Sequence, residues 1–139
     1  MTIAEFAWRG AVTDSEVNRL HAAAFDHRVF DDPWNDLLAR HSLGWVTARR
    51  DGDLVGFVNL IWDGLAHAWI QDTIVDPTSQ RSGIGRGLVA VATEHARIAG
   101  CEWLHVDFDD DAASFYIEAC GFEPTGAGLV NLAEPPLNV

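Results

Sequence analysis

The chain has few of the residues that build disulfide frameworks, metal centres or nucleic-acid surfaces. Its 139 residues include only two cysteines, Cys101 and Cys120, which are too few for a disulfide scaffold and show no zinc-ligand spacing with histidine. Nine basic residues stand against 21 acidic ones, for a net charge of -12, and they form no basic run. We therefore expect no metal site, no nucleic-acid partner and two reduced core cysteines.

Long hydrophobic runs are also missing. The longest mostly apolar stretch, residues 54–62, is far shorter than the about 20 residues that cross a membrane. Residues 1–5 contain no basic segment followed by an apolar one, as a secretory signal would. These features predict a cytoplasmic protein with no membrane partner.

Apolar and aromatic residues, by contrast, are plentiful. The chain is 48% hydrophobic and has six Trp and seven Phe, which is ample for a folded core. A chain of this length buries roughly two thirds of the surface that its unfolded form exposes. We expect one domain over residues 1–139, whose acidic surface favours a cationic partner.

The most distinctive segment is a glycine-rich turn between a strand pattern at residues 65–75 and a helix pattern at residues 85–99. Gly83, Gly85 and Gly87 leave the backbone there without side chains. The first N–H groups of a helix have no intrahelical partner, and the helix dipole makes this end attractive to anions. Arg81 and Arg86 add guanidinium donors beside the turn. The segment therefore predicts a pyrophosphate site.

Two common glycine-rich phosphate loops do not fit this segment. A Walker loop would end in Gly-Lys-Ser/Thr, whereas Arg86, Gly87 and Leu88 follow Gly85 here. A dinucleotide fingerprint would need Gly or Ala at the position of Leu88. The loop belongs to another class.

Two patterns, in order along the chain, resemble the GNAT superfamily of N-acetyltransferases. Gln80-x-x-Gly83-x-Gly85, placed after Val75-x-Pro77, is similar to the coenzyme A loop of that family. Downstream, the segment Asp109-x-x-Ala112-x-x-Phe115-Tyr116-x-x-x-Cys120-Gly121-Phe122 resembles the family helix N-x-x-A-x-x-(L/F)-Y-x-x-x-G-F. It has Asp109 in place of Asn and one extra residue before the Gly-Phe pair.

The resemblance implies an α/β fold of the mixed α+β type. Its central sheet would be mixed but mostly antiparallel, with a parallel strand pair splayed at the coenzyme A site and helices on both faces. From the residues themselves, Thr13 or Asp14 can cap a first helix, and Pro33 breaks the chain before a helix at Trp34–His41. The other expected elements are strands at 3–9, 43–50, 54–62, 65–75 and 101–108, a helix at 110–120, a loop with one or two edge strands at 122–132, and a tail at 134–136. The turn residues at 51–53 predict a hairpin between the strands at 43–50 and 54–62. The strand-helix-strand order predicts that the strand at 101–108 returns parallel to the strand at 65–75.

The resemblance also implies that acetyl-CoA is the cosubstrate and that coenzyme A is released as a product. We expect the backbone of Ile74 and Val75 to pair with the pantetheine arm. The expected pyrophosphate cradle consists of Gln80, Arg81, Ser82, Gly83, Ile84, Gly85, Arg86 and Gly87. The motif also places Asp109 at the coenzyme, although a carboxylate cannot donate a hydrogen bond as the family's Asn does.

Acyl transfer to an amine needs a base for the amine proton and an acid for the leaving thiolate. Tyr116 matches the tyrosine that commonly protonates coenzyme A in the family. Strand alternation places His105 on the polar face of its strand, and this imidazole is the predicted base, acting through a water. Asp72 is an alternative base, but regular alternation sets it on the face away from Gln71 unless a bulge reverses it.

The acceptor side of the site corresponds, by the resemblance, to the irregular acidic segment at residues 26–36. Asp31 and Asp32 are candidates for binding a cationic amine, with Trp34 stacking on the cation. Gln71 and Asp72 are further substrate-binding candidates. The alternative is a solvated acidic loop with one anchoring tryptophan.

Together these patterns predict an N-acetyltransferase that moves an acetyl group from acetyl-CoA to a primary amine by direct transfer in a ternary complex. The amine would belong to a small molecule or a peptide terminus. A non-catalytic acyl-CoA sensor or partner-binding module on the same fold stays open, as does an enzyme with another acyl donor or a hydroxyl acceptor. The sequence does not decide the oligomeric state, and a homodimer is kept as an option.

Overall fold

The structure, a computed structural model, describes residues 3–134, and the expected tail at Pro135 and Pro136 lies outside the described residues. Its centre is a five-stranded sheet whose strands follow one another in chain order. The elements are β1 (Glu5–Trp8), α1 (Asp14–Phe25), α2 (Trp34–His41), β2 (Ser42–Arg50), β3 (Asp53–Trp62), β4 (His67–Val75), a short 3₁₀ turn (Pro77–Ser79), α3 (Ile84–Ile98), β5 (Trp103–Val106), a second 3₁₀ turn (Asp110–Ala112) and a π-helix (Ser114–Ala119).

Strands β1 to β4 pair with one another in antiparallel fashion, and the predicted hairpin between β2 and β3 is confirmed. Its turn residues Asp51 and Gly52 have φ angles of 51° and 85°. Two successive positive φ angles are typical of the type I′ turn, whose twist matches that of paired strands. The turn thus brings Arg50 opposite Asp53.

Helix α1 begins with the predicted cap. The Thr13 hydroxyl accepts a hydrogen bond from the Glu16 N–H at 3.1 Å, and the Glu16 carboxylate accepts one from the Thr13 N–H at 3.0 Å. This reciprocal pair is a capping box, which satisfies two backbone donors that have no partner within the helix. The helix ends at Asp26, which has a left-handed φ of 53°.

Each face of the sheet carries its own apolar core, so the predicted placement of helices on both faces is confirmed. Helix α3 packs through Leu88 and Ala92 on Val58 and Leu60 of β3. On the opposite face, α1 and α2 pack on Phe57 and Ile74, and this core is built from Val17, Leu20, Trp34, Leu38, Phe57 and Ile74. The sheet is therefore the middle layer of three.

Strand β5 returns parallel to β4 after the α3 crossover, as the sequence predicts. The two strands pair from His67 opposite Trp103 to Ile70 opposite Val106, where β5 ends. Strand β4 continues to Val75. An opening therefore forms between the second half of β4 and the chain that follows β5.

A β-bulge interrupts β4 beside this opening. Phe57 pairs with Ile74 and Asn59 pairs with Gln71, so that two residues, Asp72 and Thr73, lie opposite Val58 alone. Asp72 has a φ of 55°, in the left-handed region. The extra residue shifts the alternation of side chains, and the α1 face therefore receives Ile74 although Ile70 lies on the α3 face.

Two predicted elements differ from the structure. The regular helix expected at residues 110–120 is a 3₁₀ turn followed by a π-helix, in which the Cys120 N–H donates to the Phe115 carbonyl oxygen at 3.0 Å. The edge strands expected within residues 122–132 do not form, and that range contains no strand. Pro124, Gly126 and Gly128 lie in this segment and disfavour a strand there.

Candidate active site

The opening between β4 and the chain after β5 forms a cavity of about 320 Å³. Bulge residues of β4 form one wall, and the segment from β5 to the π-helix forms the other. The cavity is lined by Phe25, Ile70, Gln71, Asp72, Thr73, Val106, Asp107, Phe108, Asp109, Ala112 and Tyr116. Of the predicted substrate-binding and catalytic residues, it brings together Gln71, Asp72 and Tyr116.

Tyr116 is the buried aromatic residue of this cavity, with 9% of its surface exposed. Its ring stacks on Phe108 at 5.5 Å and meets Phe115 edge to face at 4.9 Å. Burial raises the pKa of the Tyr116 phenol, while the nearby Thr73 hydroxyl opposes the rise. The phenol is therefore a protonated donor at neutral pH.

The Thr73 hydroxyl is a buried oxygen with no partner in hydrogen-bonding geometry, the only such side-chain atom among the residues the structure describes. It lies close enough to Tyr116 to affect the pKa of the phenol without forming a regular hydrogen bond. Buried polar atoms are nearly always paired in folded proteins. The Thr73 hydroxyl therefore lies in the cavity wall beside the Tyr116 phenol.

Asp72 reaches the cavity because of the bulge. Regular alternation would have placed it on the sheet face opposite Gln71. The bulge reverses that placement, as the sequence analysis allowed. Its Oδ1 atom lies 3.4 Å from Nε2 of His21, on α1, and about a quarter of each side chain is exposed. Asp107 and Asp109 also line the cavity, which gives it a strongly acidic rim.

The glycine-rich turn leads directly into α3, as predicted. Gly83 is the N-cap residue and has a φ of 85°, which favours glycine. The first backbone hydrogen bond of the helix joins the Gly87 N–H to the Gly83 carbonyl oxygen at 3.0 Å. The N–H groups of Ile84, Gly85 and Arg86 precede that bond and have no helical acceptor, so they can hold an anion.

Gly87 has a different structural role from the one predicted. Its N–H is already bonded within the helix, so it is not a free donor for phosphate. A β-carbon there would lie 2.4 Å from the ring of Phe6, on β1. At Gly85 a β-carbon would lie 3.2 Å from the ring of Phe115. Both glycines therefore allow α3 to approach aromatic residues closely.

The other predicted loop residues hold the turn or surround it. The Gln80 amide donates to the Val75 carbonyl oxygen at 3.4 Å, and the Ser82 hydroxyl donates to the Ser79 carbonyl oxygen at 2.5 Å. Arg81 is exposed and left-handed, with a φ of 63°, and Arg86 is exposed in the first turn of α3. Both guanidinium groups are thus accessible to an anion at this helix end.

The two residues predicted to bind pantetheine, Ile74 and Val75, lie in the part of β4 beyond its last pair with β5. Asp109 lies across the cavity from the bulge, at the N-terminus of the second 3₁₀ turn, and its side chain forms no cap hydrogen bond. The half of β4 that has no β5 partner and the anion-accepting start of α3 both fit an extended, phosphate-bearing cosubstrate.

His105, the predicted base, does not line the cavity. It lies on the exposed face of β5, as alternation predicts, where its Nε2 atom is 2.8 Å from Nδ1 of His67. Its ring stacks on Trp69 at 5.0 Å. The base role of His105 stays a prediction, and the geometry favours Asp72 instead.

The acidic segment before α2 is also placed differently from the expectation. Trp34 is 6% exposed, and its ring packs edge to face on Phe57 at 5.7 Å. The buried Asn18 amide oxygen accepts hydrogen bonds from the Trp34 indole N–H and the Asp32 N–H. Asp31 and Asp32 are exposed and do not line the cavity. The structure supports an anchoring role for Trp34 rather than cation stacking.

Two further features of the described part of the chain concern metal ions and membranes. Within residues 3–134, no group of three or more His, Cys, Asp or Glu side chains is arranged to hold a metal ion. No helix in that range is long and apolar enough to cross a membrane.

Thr73 and His21 were missed by the sequence analysis. Thr73 enters the cavity because of the bulge, which carries no local signature in this strand. His21 lies on an ordinary amphipathic helix, and its approach to Asp72 depends on how α1 packs across β4. No sequence spacing would have linked these residues.

A parallel strand pair that opens in front of a glycine-capped helix, with a buried tyrosine in the opening, defines an α/β protein with a cleft that can accept an anion. The family model for the acetyltransferase (GNAT) family matches residues 8–122. The chain belongs to this family, and GNAT acetyltransferases use acetyl-CoA.

Three relatives show how the chain compares with named acetyltransferases. It is 33% identical over 125 residues to N-alpha-acetyltransferase RimI of Mycobacterium tuberculosis, covering 84% of this chain and 78% of that protein. It is 31% identical over 112 residues to aminoglycoside N(6')-acetyltransferase type 1 of Stenotrophomonas maltophilia, covering 68% and 71%. Identity to mycothiol acetyltransferase of Streptomyces avermitilis is 31% over 124 residues, covering 74% of this chain but only 37% of that longer relative.

A solved structure agrees with this assignment at the level of the fold. A probable acetyltransferase from methicillin-resistant Staphylococcus aureus superposes with a TM-score of 0.80, over 94% of this chain and 98% of that chain. The sequence identity is 19%, so the likeness concerns the fold alone.

Proposed function

We propose that this chain is an N-acetyltransferase that moves the acetyl group of acetyl-CoA to a primary amine by direct transfer. The amine belongs to a small molecule or a peptide terminus. The observation that carries the proposal is the cavity itself, where Tyr116, the unpaired Thr73 hydroxyl and Asp72 on the bulge meet between the diverging strands.

Acetyl-CoA, when bound, supplies an activated acyl group and a thiol leaving group. The first-turn N–H groups of α3, with Arg81 and Arg86, would hold its pyrophosphate, and the edge of β4 that β5 leaves open would bind its pantetheine arm. Asp72 takes a proton from the acceptor's ammonium group, which frees the nitrogen lone pair for attack. Tyr116 gives its phenol proton to the leaving sulfur, and the second proton that the nitrogen loses on forming the amide restores the phenol.

The acceptor is proposed to be cationic. Asp72, Asp107 and Asp109 face the cavity, and the chain as a whole has a net charge of -12. An acidic cleft concentrates amine substrates in their ammonium form and orients them toward the base. RimI and the aminoglycoside enzyme act, by their names, on amines of these two kinds. We therefore place peptide termini and polyamino compounds first among candidate acceptors.

The test is release of coenzyme A thiol from acetyl-CoA across polyamines, aminoglycosides, amino acids and short peptides. We expect release with one class of amine, a fall of at least tenfold in Tyr116→Phe, and unchanged coenzyme affinity in that variant. Because the chain has no lysine, labelled acetyl groups found on a peptide or protein acceptor cannot be confused with acetylation of the enzyme's own lysines.

Asp72→Asn and His105→Gln decide which residue is the base. Loss of turnover in Asp72→Asn with activity kept in His105→Gln would support Asp72. Loss of turnover in His105→Gln with activity kept in Asp72→Asn would instead support His105 as the base. Tight coenzyme binding without release of thiol with any amine would contradict the transferase and favour an acyl-CoA sensor.

A further inference from the structure

Three ionisable side chains, Asp72, His21 and His27, form a connected series from the cavity to the protein surface. Asp72 lines the cavity, and its Oδ1 atom lies 3.4 Å from Nε2 of His21, an ion-pair distance. Nδ1 of His21 lies 2.7 Å from Nε2 of His27. Nδ1 of His27 lies 2.6 Å from the carbonyl oxygen of Arg28, in an exposed position.

The fold holds both imidazole rings in place. The His21 ring meets Phe25 edge to face at 4.7 Å and lies 6.1 Å from the ring of Trp34. The left-handed Asp26 turns the chain back after α1, and the His27 N–H then donates to the Ala22 carbonyl oxygen at 3.1 Å. The His27 ring also stacks on Phe30 at 4.3 Å. These contacts bring His27 to His21 although no helical spacing relates them.

The carbonyl oxygen of Arg28, at the outer end of this series, determines which ring nitrogens of His27 and His21 carry protons. A carbonyl oxygen can only accept, so His27 must carry its proton at Nδ1. A neutral His27 then accepts at Nε2, which requires the proton of His21 at Nδ1. This leaves the bare Nε2 of His21 facing the carboxylate of Asp72, where two lone pairs meet.

One additional proton removes that conflict, and it can sit at any of three places. On Asp72, it is donated to Nε2 of His21. On Nε2 of His21, it makes an imidazolium that pairs with the carboxylate. Transfer of the His21 Nδ1 proton to His27 moves the charge to His27 without breaking any contact. The ionisable side chains in contact with His21 are Asp72 of β4 and His27, while α1 and α2 present the uncharged Phe25 and Trp34.

We propose that His21 and His27 are positioning residues that relay protons from Asp72 to solvent. The inference rests on the proposed function, in which Asp72 is the base. An N–H bond of the ammonium group breaks and an O–H bond forms on Asp72, with the electron pair left on the amine. The proton passes to Nε2 of His21 as the His21 Nδ1 proton passes to His27, and His27 gives one proton to water. The rings then return to their starting tautomers by exchange with water.

The overall reaction needs such an exit. An ammonium acceptor has three protons on nitrogen, the amide product keeps one, and the thiol takes one. One proton must therefore leave the site for each acetyl group transferred. A second histidine pair, His67 and His105, has similar geometry but does not line the cavity, so it offers no exit from it.

The first experiment detects which ring nitrogens of the histidines carry protons, and it does not require turnover. Imidazole nitrogen NMR of the ¹⁵N-labelled protein should show neutral His27 protonated at Nδ1, and the ring signals of His27 should shift in Asp72→Asn, transmitted through His21. His41→Gln, which removes an exposed histidine at the end of α2, should leave both rings unchanged. A neutral His27 protonated at Nε2, or no response of His27 to Asp72→Asn, would overturn the relay.

The second experiment measures turnover. His27→Gln keeps a hydrogen-bonding side chain but cannot pass a proton, so we expect kcat to fall about tenfold with KM little changed. Added imidazole buffer should restore kcat to at least half of the wild-type value, which loss of a merely structural contact would not allow. Wild-type turnover in both His21→Gln and His27→Gln, without response to imidazole, would overturn the relay and leave the proposed function intact. Absence of acetyl transfer by the wild type would count against the proposed function alone, and the NMR experiment would still decide the relay.

Discussion

The backbone N–H of Cys120 donates to the carbonyl oxygen of Phe115, five residues earlier, at a distance of 3.0 Å. A five-residue step closes the wide turn of a π-helix, which holds one more residue than an α-helical turn. The chain has one more residue between Tyr116 and Gly121 than the family motif that it resembles. The π-helix therefore absorbs that residue, and Phe122 still reaches the Tyr116 ring at 5.9 Å.

Deletion of Ala119 tests this relationship. Ala119 is exposed at the end of the π-helix, and its removal gives the spacing that an ordinary α-helix requires. We expect the variant to fold with a free energy of unfolding within about 1 kcal/mol of the wild type, since π-turns are not intrinsically favoured. Urea unfolding followed by circular dichroism measures this.

Deletion of Ala90 is the control for that experiment. Ala90 is also exposed, but it lies in the regular helix α3, where losing one residue rotates every later side chain by about 100° around the axis. This displaces Ala92 and Ala96 from the core. Equal loss of stability in both deletions would contradict the account of the π-helix.

The glycine at the start of α3 gives a second prediction. Gly83 and Gly52 both have φ angles of 85°, and a β-carbon would meet no atom within 4 Å at either position. Alanine at either position should therefore lower the free energy of unfolding by about 1 kcal/mol, because its β-carbon strains a backbone with positive φ. Only Gly83→Ala should also weaken coenzyme A binding, by about tenfold, because the strain displaces the N–H groups that hold the pyrophosphate. Isothermal titration calorimetry with coenzyme A measures the affinity of both variants. Equal affinities in Gly83→Ala and Gly52→Ala would show that Gly83 does not contribute to the coenzyme site.

Local sequence patterns predicted the elements whose causes are local. The cap at Thr13, the Asp51-Gly52 turn and the glycine-rich turn before α3 all depend on residues a few positions apart. The second motif led to Tyr116, which lines the cavity, and its role as the acid stays a prediction. The parallel return of β5 followed from the strong handedness preference of strand-helix-strand units.

The features that sequence could not predict depend on contacts between distant elements. Alternation alone assigned Asp72 to the wrong face, since one inserted residue in a strand leaves no local mark. Trp34 is buried because α2 packs on Phe57, and that packing cannot be read from an acidic loop. Gly87 was assigned to phosphate binding, although the nearest constraint on it is the Phe6 ring, which comes from the other end of the chain.

The contact between Gly87 and Phe6 gives a third prediction. Alanine at position 87 should be destabilising, because its β-carbon would lie 2.4 Å from the ring of Phe6. In a Phe6→Ala background, the same change should instead stabilise the protein by about 1 kcal/mol, since alanine is favoured over glycine within a helix. A double-mutant cycle of urea unfolding measures the difference. An effect of the same sign in both backgrounds would show that the close approach does not require glycine.

The ion pair between Glu16 and Arg49 gives a prediction about pH. A guanidinium nitrogen of Arg49 lies 2.7 Å from a carboxylate oxygen of Glu16, with about a quarter of each side chain exposed. The Arg49 hydrogen bond, aided by the Thr13 contacts and opposed by burial, lowers the pKa of Glu16 from 4.5 to about 2. The unfolded chain therefore binds the proton more tightly, and the pair stabilises the fold at pH values above about 4.5. This contribution decreases as pH falls toward about 2.

Glu16→Gln measures that contribution. We expect the variant to be about 1 to 2 kcal/mol less stable than the wild type at pH 7, a value reduced for the partial exposure of the pair, with the difference shrinking between pH 4.5 and pH 2. Glu94→Gln is the control, since the Glu94 pair with Arg97 has both side chains more than half exposed, and its removal should be nearly neutral at every pH. Urea unfolding at a series of pH values compares the two. A stability difference for Glu16→Gln that stays constant down to pH 2 would mean that the charge of Glu16 contributes nothing to the stability of the fold.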